Sequence, residues 1–199
     1  CRRYDALTMG AFSGPREWGR LLTAMITPFD DREEVNLPEA RRIAAHLVDD
    51  QQNTGLVVSG TTGESPTLSR QEKLALLEST LSEVGGRAAV VFGAGTYDTR
   101  ESVHLAQEAE RIGAHGIMVV SPYYSRPGQE GLYAHFAAVA ESVQLPVLVY
   151  NIQGRTSINL ETPTLRRLQE IGNIVAVKEA SGSMPQIVEV AATAPAGFR

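Results

Sequence analysis

From Leu21 onward, short and nearly continuous apolar runs alternate with longer segments in which apolar residues recur every three or four positions. The runs Leu21–Phe29, Gly55–Gly60, Ala89–Gly95, Gly116–Pro122, Pro146–Asn151 and Ile174–Ser181 predict strands. Runs with so few polar interruptions suit strands covered on both faces, as in a parallel sheet. The periodic segments carry helix start and stop signals. Ser69 with Glu72 forms a capping box, followed by Leu74, Leu77 and Leu81 on one stripe. Asp98 with Glu101 opens the next helix, with Leu105, Ala109 and Ile112 facing inward and Gly113 ending it. Thr162 reads as a cap with Pro163 at the first helical position; Leu165, Leu168 and Ile171 give the stripe and Gly172 closes it. Leu37–Gln52, Gly131–Val143 and Pro185–Ala194 complete the helical set.

Six consecutive strand–helix units imply an α/β protein with parallel strands and right-handed crossovers. Two architectures satisfy that pattern, a doubly wound open sheet and a (β/α) barrel. A complete (β/α)8 TIM barrel takes ~250 residues, so a barrel here is expected to be truncated to about six βα units. No linker rich in Pro, Gly or Ser and no charge block divides the chain. Residues 21–199 therefore read as one domain, a barrel domain incomplete at the C-terminus if that architecture holds, behind an N-terminal extension, residues 1–20.

Composition narrows the function classes. The 199 residues are 43% hydrophobic and 21% charged, with 18 basic and 23 acidic side chains and a net charge of −5. This is ordinary globular usage, and no apolar run approaches the ~20 residues of a membrane span. There is no basic stripe, so no nucleic-acid partner is expected. Cys1 is the only cysteine. That excludes an intrachain disulfide and a thiolate zinc cluster, and fits a reducing, cytoplasmic compartment.

The usual cofactor motifs are missing. Gly93-Ala-Gly95-Thr-Tyr-Asp98 has two glycines of a dinucleotide fingerprint but Asp98 in the third place, and there is no phosphate-loop lysine. The histidines at 46, 104, 115 and 135 lack ligand spacing, so no metal is expected. Only Lys73 and Lys178 are lysines among the basic residues. Lys73 stands beside Glu72 in a helix and reads as solvated. Lys178 ends the run Ile174-Val-Ala-Val-Lys178, at the strand end where parallel α/β folds place their sites. Burial there would favour a neutral, nucleophilic amine; a strand-end lysine paired with Glu179 or reaching solvent is the competing reading.

Tyr150 ends Val147-Leu-Val-Tyr150 in the same way. By alternation it shares a face with Leu148, as Lys178 does with Ala176 and Ile174. Gly60-Thr-Thr-Gly-Glu-Ser65 follows the second strand and could turn backbone amides toward an anion. Pro122-Tyr-Tyr-Ser-Arg-Pro127 reads as a lid or an interface loop, and Arg155 as a second carboxylate clamp.

Together with Leu22-Thr-Ala-Met-Ile-Thr-Pro-Phe29, Gln129-Glu-Gly-Leu-Tyr-Ala-His-Phe136, Tyr150-Asn-Ile-Gln-Gly-Arg-Thr156 and Val177-Lys-Glu-Ala-Ser-Gly182, these segments resemble the dihydrodipicolinate synthase/N-acetylneuraminate lyase family of Schiff-base aldolases. The resemblance implies that Lys178 condenses with pyruvate and that Tyr150 is the proton donor and acceptor, relayed through Thr61 and through Tyr124 of a neighbouring subunit. It implies Thr62 with adjacent amides as the pyruvate-carboxylate cradle, and Arg155 as the group binding L-aspartate 4-semialdehyde. No cofactor is implied beyond the covalent Schiff base on Lys178. A homo-oligomer, a dimer of dimers, is implied as well. Arg155 and the Thr61-Thr62 pair tilt the resemblance toward the synthase branch. Gln153 stands where relatives commonly have proline, which suggests a looser Arg155 loop. Two other readings remain at this level. One is a pyruvate-dependent aldolase or dehydratase acting on a 2-keto-3-deoxy sugar acid; the other is a non-catalytic remnant that only assembles with other subunits.

Overall fold

The computed structural model describes residues 18–199. Six strands, β1 (Leu22–Ala24), β2 (Gly55–Val58), β3 (Ala89–Gly93), β4 (Gly116–Val120), β5 (Val147–Asn151) and β6 (Ile174–Glu179), form one parallel sheet in chain order. The sheet curls into part of a TIM-type barrel with the helices outside. Each predicted apolar run contributes one strand, and β1 is the shortest. Its ladder reaches Met25, whose N–H donates to Val57 O at 3.0 Å, and then the chain turns away at Thr27-Pro28 into the Phe29–Val35 bridge. Pro28 has no N–H to continue the pairing.

The helices are α1 (Leu37–Ala45), continued by a π turn His46–Asp50, then α2 (Arg70–Val84), α3 (Thr99–Ile112) and α4 (Gln129–Glu141). A single turn, α5 (Gln153–Thr156), precedes α6 (Thr162–Leu168) and α7 (Met184–Thr193). The Ser69/Glu72 capping box forms in both directions, and Gly113 closes α3 at φ 97°. One cap differs from expectation. Thr162 lies inside α6, and its hydroxyl donates to Glu189 Oε2 on α7 at 3.1 Å instead of capping its own helix. The buried side of α2 is also rotated from the predicted stripe. Leu76, Leu77, Thr80 and Val84 are buried, whereas Leu74 and Leu81 are only half-buried.

Outward strand residues such as Leu56, Val90, Phe92, Ile117 and Val149 pack against the helices in the main core. A smaller inner core holds Val57, Val91, Met118, Leu148, Tyr150 and Ala176, floored by Trp18. Trp18 is 6% exposed and donates from Nε1 to His115 O at 2.9 Å. Of the segment set apart as 1–20, residues 1–17 lie outside the described residues; Trp18 is built into the barrel floor.

Alternation fails at one place in β6. The β5–β6 register pairs Val147 with Ile174 but Leu148 with Ala176, so Val175 is an inserted residue. Ile174 consequently joins the outer core while Ala176 faces inward. The expectation that Ile174 shares a face with Lys178 is thus corrected: a β-bulge switches the parity. Among the described residues β1 and β6 each have a single strand neighbour. At the far side of β6, Val177 N–H donates to Arg199 O at 2.8 Å and Arg199 N–H to Val175 O at 3.1 Å.

Candidate functional site

Beyond the bulge the register runs true, and it sets Tyr150 directly opposite Lys178 and Asn151 opposite Glu179. The Lys178 Nζ lies 4.2 Å from the centroid of the Tyr150 ring. Two effects compete at that amine. The aromatic face favours the ammonium form by ~0.5–2 kcal/mol. Burial disfavours it and lowers the Lys178 pKa from the usual lysine value. Tyr150 is 4% exposed. Burial pushes its phenol up, opposed by a hydrogen bond with Thr61 and by the positive charge of Arg155.

A cavity of about 180 Å³ opens beside this pair, lined by Gly60, Thr61, Tyr123, Tyr150, Arg155 and Thr156 among others. Lys178 lines a wider opening of about 390 Å³ with Leu148, Ala176, Arg20 and Arg199. Tyr150 borders the first of these spaces and Lys178 the second. Arg155 itself is exposed, carried by the α5 turn. That turn is closed by its own bonds despite Gln153. Arg155 N–H and Thr156 N–H both donate to Ile152 O at 3.1 Å, and the Thr156 hydroxyl binds Ile152 O at 2.9 Å and Ile158 O at 3.0 Å.

Not every candidate converges. Thr62 is exposed and stands outside the cavity lining. Tyr124 is 93% exposed, with a left-handed backbone at φ 70°, and points away from the cavity of its own chain. Its neighbour Tyr123 lines the cavity instead, met edge-on by Tyr97 with ring centroids 5.5 Å apart at 85°. Burial raises the Tyr123 phenol pKa. The resemblance singles out Tyr124, for a neighbouring subunit; the ring that turns into this chain's own cavity is Tyr123.

Glu179 is not the counter-ion of Lys178. Its carboxylate takes hydrogen bonds from Asn151, Gln186 and the Ser181 N–H. Among the described residues Lys178 makes no ion pair. The reading of Lys73 as solvated is overturned. It is 8% exposed on the inner side of α2, and burial lowers its pKa against the pull of Glu101. Arg70 holds that Glu101 carboxylate at 3.1 and 2.5 Å. Lys73 lines none of the cavities around the strand ends. Among the described residues no three His, Cys, Asp or Glu side chains gather as a metal site, and no helix is long and apolar enough to cross a membrane.

The profile of the dihydrodipicolinate synthetase family matches residues 17–199. The chain is 58% identical over 182 residues to a 4-hydroxy-tetrahydrodipicolinate synthase of Desulforudis audaxviator, covering 92% of this chain and 62% of that protein. It is 53% identical over 182 residues to the synthase of the same name from Moorella thermoacetica, with the same coverage of both chains. A solved structure of dihydrodipicolinate synthase from Bacillus anthracis superposes with a TM-score of 0.89 at 41% identity, covering 92% of this chain and 62% of that one. The chain thus spans about three fifths of the length of these relatives.

Proposed function

The chain belongs to the dihydrodipicolinate synthetase family, and from that premise we propose that it carries the Schiff-base centre of a 4-hydroxy-tetrahydrodipicolinate synthase, condensing pyruvate with L-aspartate 4-semialdehyde. The observation that carries the reading is the Tyr150–Lys178 rung: a half-buried amine of lowered pKa, free of ion pairs among the described residues, against a buried phenol. In the proposed reaction the neutral Lys178 amine attacks the ketone carbon of pyruvate, and the carbinolamine loses water to give the imine. Loss of a proton from the methyl carbon gives the enamine. That carbon bonds to the semialdehyde carbonyl, and the amine of the second substrate displaces Lys178 as the ring closes. Tyr150 moves the protons, with Thr61 as its hydrogen-bonded relay.

In this reading Arg155 binds the semialdehyde carboxylate from the cavity rim, and the turn around Thr62 supplies amides to the pyruvate carboxylate. Tyr124, turned outward, serves the site of a neighbouring copy in a dimer of dimers. The covalent imine supplies the electron sink, so the proposed steps use no metal or organic cofactor.

Kinetics of the variants test the roles. Tyr150→Phe is expected to bind pyruvate yet slow imine formation and turnover by ~10²–10⁴. Arg155→Ala is expected to raise the semialdehyde concentration for half-saturation and leave the imine with pyruvate intact. Undiminished turnover in Tyr150→Phe contradicts the proton-transfer role. Aldol cleavage of a 2-keto-3-deoxy sugar acid, with no condensation onto the semialdehyde, transfers the assignment to the sugar-acid branch.

A further inference from the structure

Glu179 follows Lys178 in the chain, and a carboxylate so placed is the expected counter-ion of the amine. Paired with it, Lys178 would stay an ammonium ion and could not attack a ketone. Strand alternation turns Glu179 to the outer face, where hydrogen-bond donors meet it. Asn151 Nδ2 donates to Oε1 at 3.2 Å and to Oε2 at 3.1 Å, Gln186 Nε2 to Oε2 at 3.2 Å, and Ser181 N–H to Oε1 at 2.9 Å. Asn151 is 0% exposed, and its own Oδ1 accepts from Leu160 N–H at 3.0 Å. Asn159 closes the ring. Its Nδ2 donates to Gln186 Oε1 at 2.7 Å and its Oδ1 accepts from Asn151 at 2.9 Å. The cluster ties β5, β6, the segment before α6 and the first turn of α7 into one unit.

Its position gives it a task. The bulge at Val175 uncouples the upper register of β6 from the lower, so something above the bulge must fix the rung. Asn151–Glu179 is the rung next to Tyr150–Lys178. We propose that Asn151 and Gln186 are positioning residues for the Lys178 amine: they hold the Glu179 carboxylate on the outer face, keep its charge off Lys178, and fix the rung on which Lys178 meets Tyr150. This rests on the reading of Lys178 as the imine-forming amine.

The surroundings of both groups fit that task. Lys178 faces Tyr150 from β5, Arg20 from ahead of β1, and Arg199; among the described residues its opening has no acidic lining. Among the described residues, the hydrogen bonds to the Glu179 carboxylate come from amide groups of β5, α7 and the following turn. It is half-buried. A carboxylate stripped of its donors acts through space on the neighbouring ammonium and raises its pKa.

The test is the pH dependence of pyruvate trapping on Lys178 with borohydride. Asn151→Leu is expected to move the midpoint up by ~0.5–1 pH unit and slow trapping at neutral pH by ~3–10-fold. Adding Glu179→Gln to Asn151→Leu removes the charge and is expected to return the midpoint to the wild-type value. Gln186→Leu, which leaves the sheet untouched, is expected to shift it in the same direction by less. A merely structural role slows trapping without moving any midpoint. An unmoved midpoint in folded Asn151→Leu overturns the proposal, as does one in Gln186→Leu if Asn151→Leu does not fold. Wild-type protein that traps no pyruvate overturns the Schiff-base reading and this proposal together; wild-type trapping with unmoved midpoints overturns this proposal alone.

Discussion

His135 shows how much one buried side chain can decide. It is 3% exposed on α4, with Nδ1 2.8 Å from the Thr99 hydroxyl and Nε2 without a hydrogen bond among the described residues. Burial lowers its pKa to about 4, against a weaker upward pull from Asp98. The unfolded imidazole takes up a proton near ~6.5 and the folded one only near 4, so protons favour the unfolded chain between those values. Stability is expected to be full above ~6.5 and to fall by ~3 kcal/mol as the pH drops to about 4. Replacing His135 by Gln is expected to flatten that segment of the urea-midpoint profile; an unchanged slope contradicts the assignment. Placement at the residue scale was legible at Lys178 and Tyr150, each of which closes an apolar strand run. It was not legible at Lys73, because a helix position beside Glu72 says nothing about which neighbouring helix covers the aliphatic stem. Nor was it legible at Glu179, whose amide partners Asn151 and Gln186 lie 28 residues before it and seven after.

Elements were easier to read than their faces. All six strands and the main helices form within the apolar runs and periodic segments that predict them, because each signal is local. The bulge in β6 was invisible, since Ile174, Val175 and Ala176 are all apolar and either parity satisfies the pattern. Contact between elements also explains the glycine that opens β4. A Cβ on Gly116 would lie 2.3 Å from Cζ2 and 2.8 Å from Cε2 of the Trp18 ring. Gly116→Ala is therefore expected to evict Trp18 from the barrel floor and cost roughly 2–4 kcal/mol. Trp18 is the only tryptophan, so its emission reports the event directly. A shift to longer wavelength in the folded variant is the expected result, and unchanged emission contradicts the packing of the floor.

At the scale of the whole molecule, the parallel, sequential sheet is what makes separate strand ends into one site. Tyr150 and Lys178 are 28 residues apart in sequence, and only the β5–β6 register brings amine and phenol together. The same topology carries Thr61 from the β2 end and Tyr123 from the β4 end to the adjoining cavity. The sheet's outermost strands are its least covered parts, with β1 half-buried throughout and β6 half-buried toward its C-terminal end. The account stands or falls on the amine at that rung. Incubated with pyruvate and borohydride, the protein is expected to gain ~72 Da on Lys178, the mass of a reduced pyruvate imine. Tryptic mapping places that mass in the peptide Leu168–Arg199, uncleaved at the modified lysine, while Lys73, buried on α2, stays unlabelled. Lys178→Arg should abolish the label; pyruvate found on Lys73, or turnover undiminished in Lys178→Arg, contradicts the account.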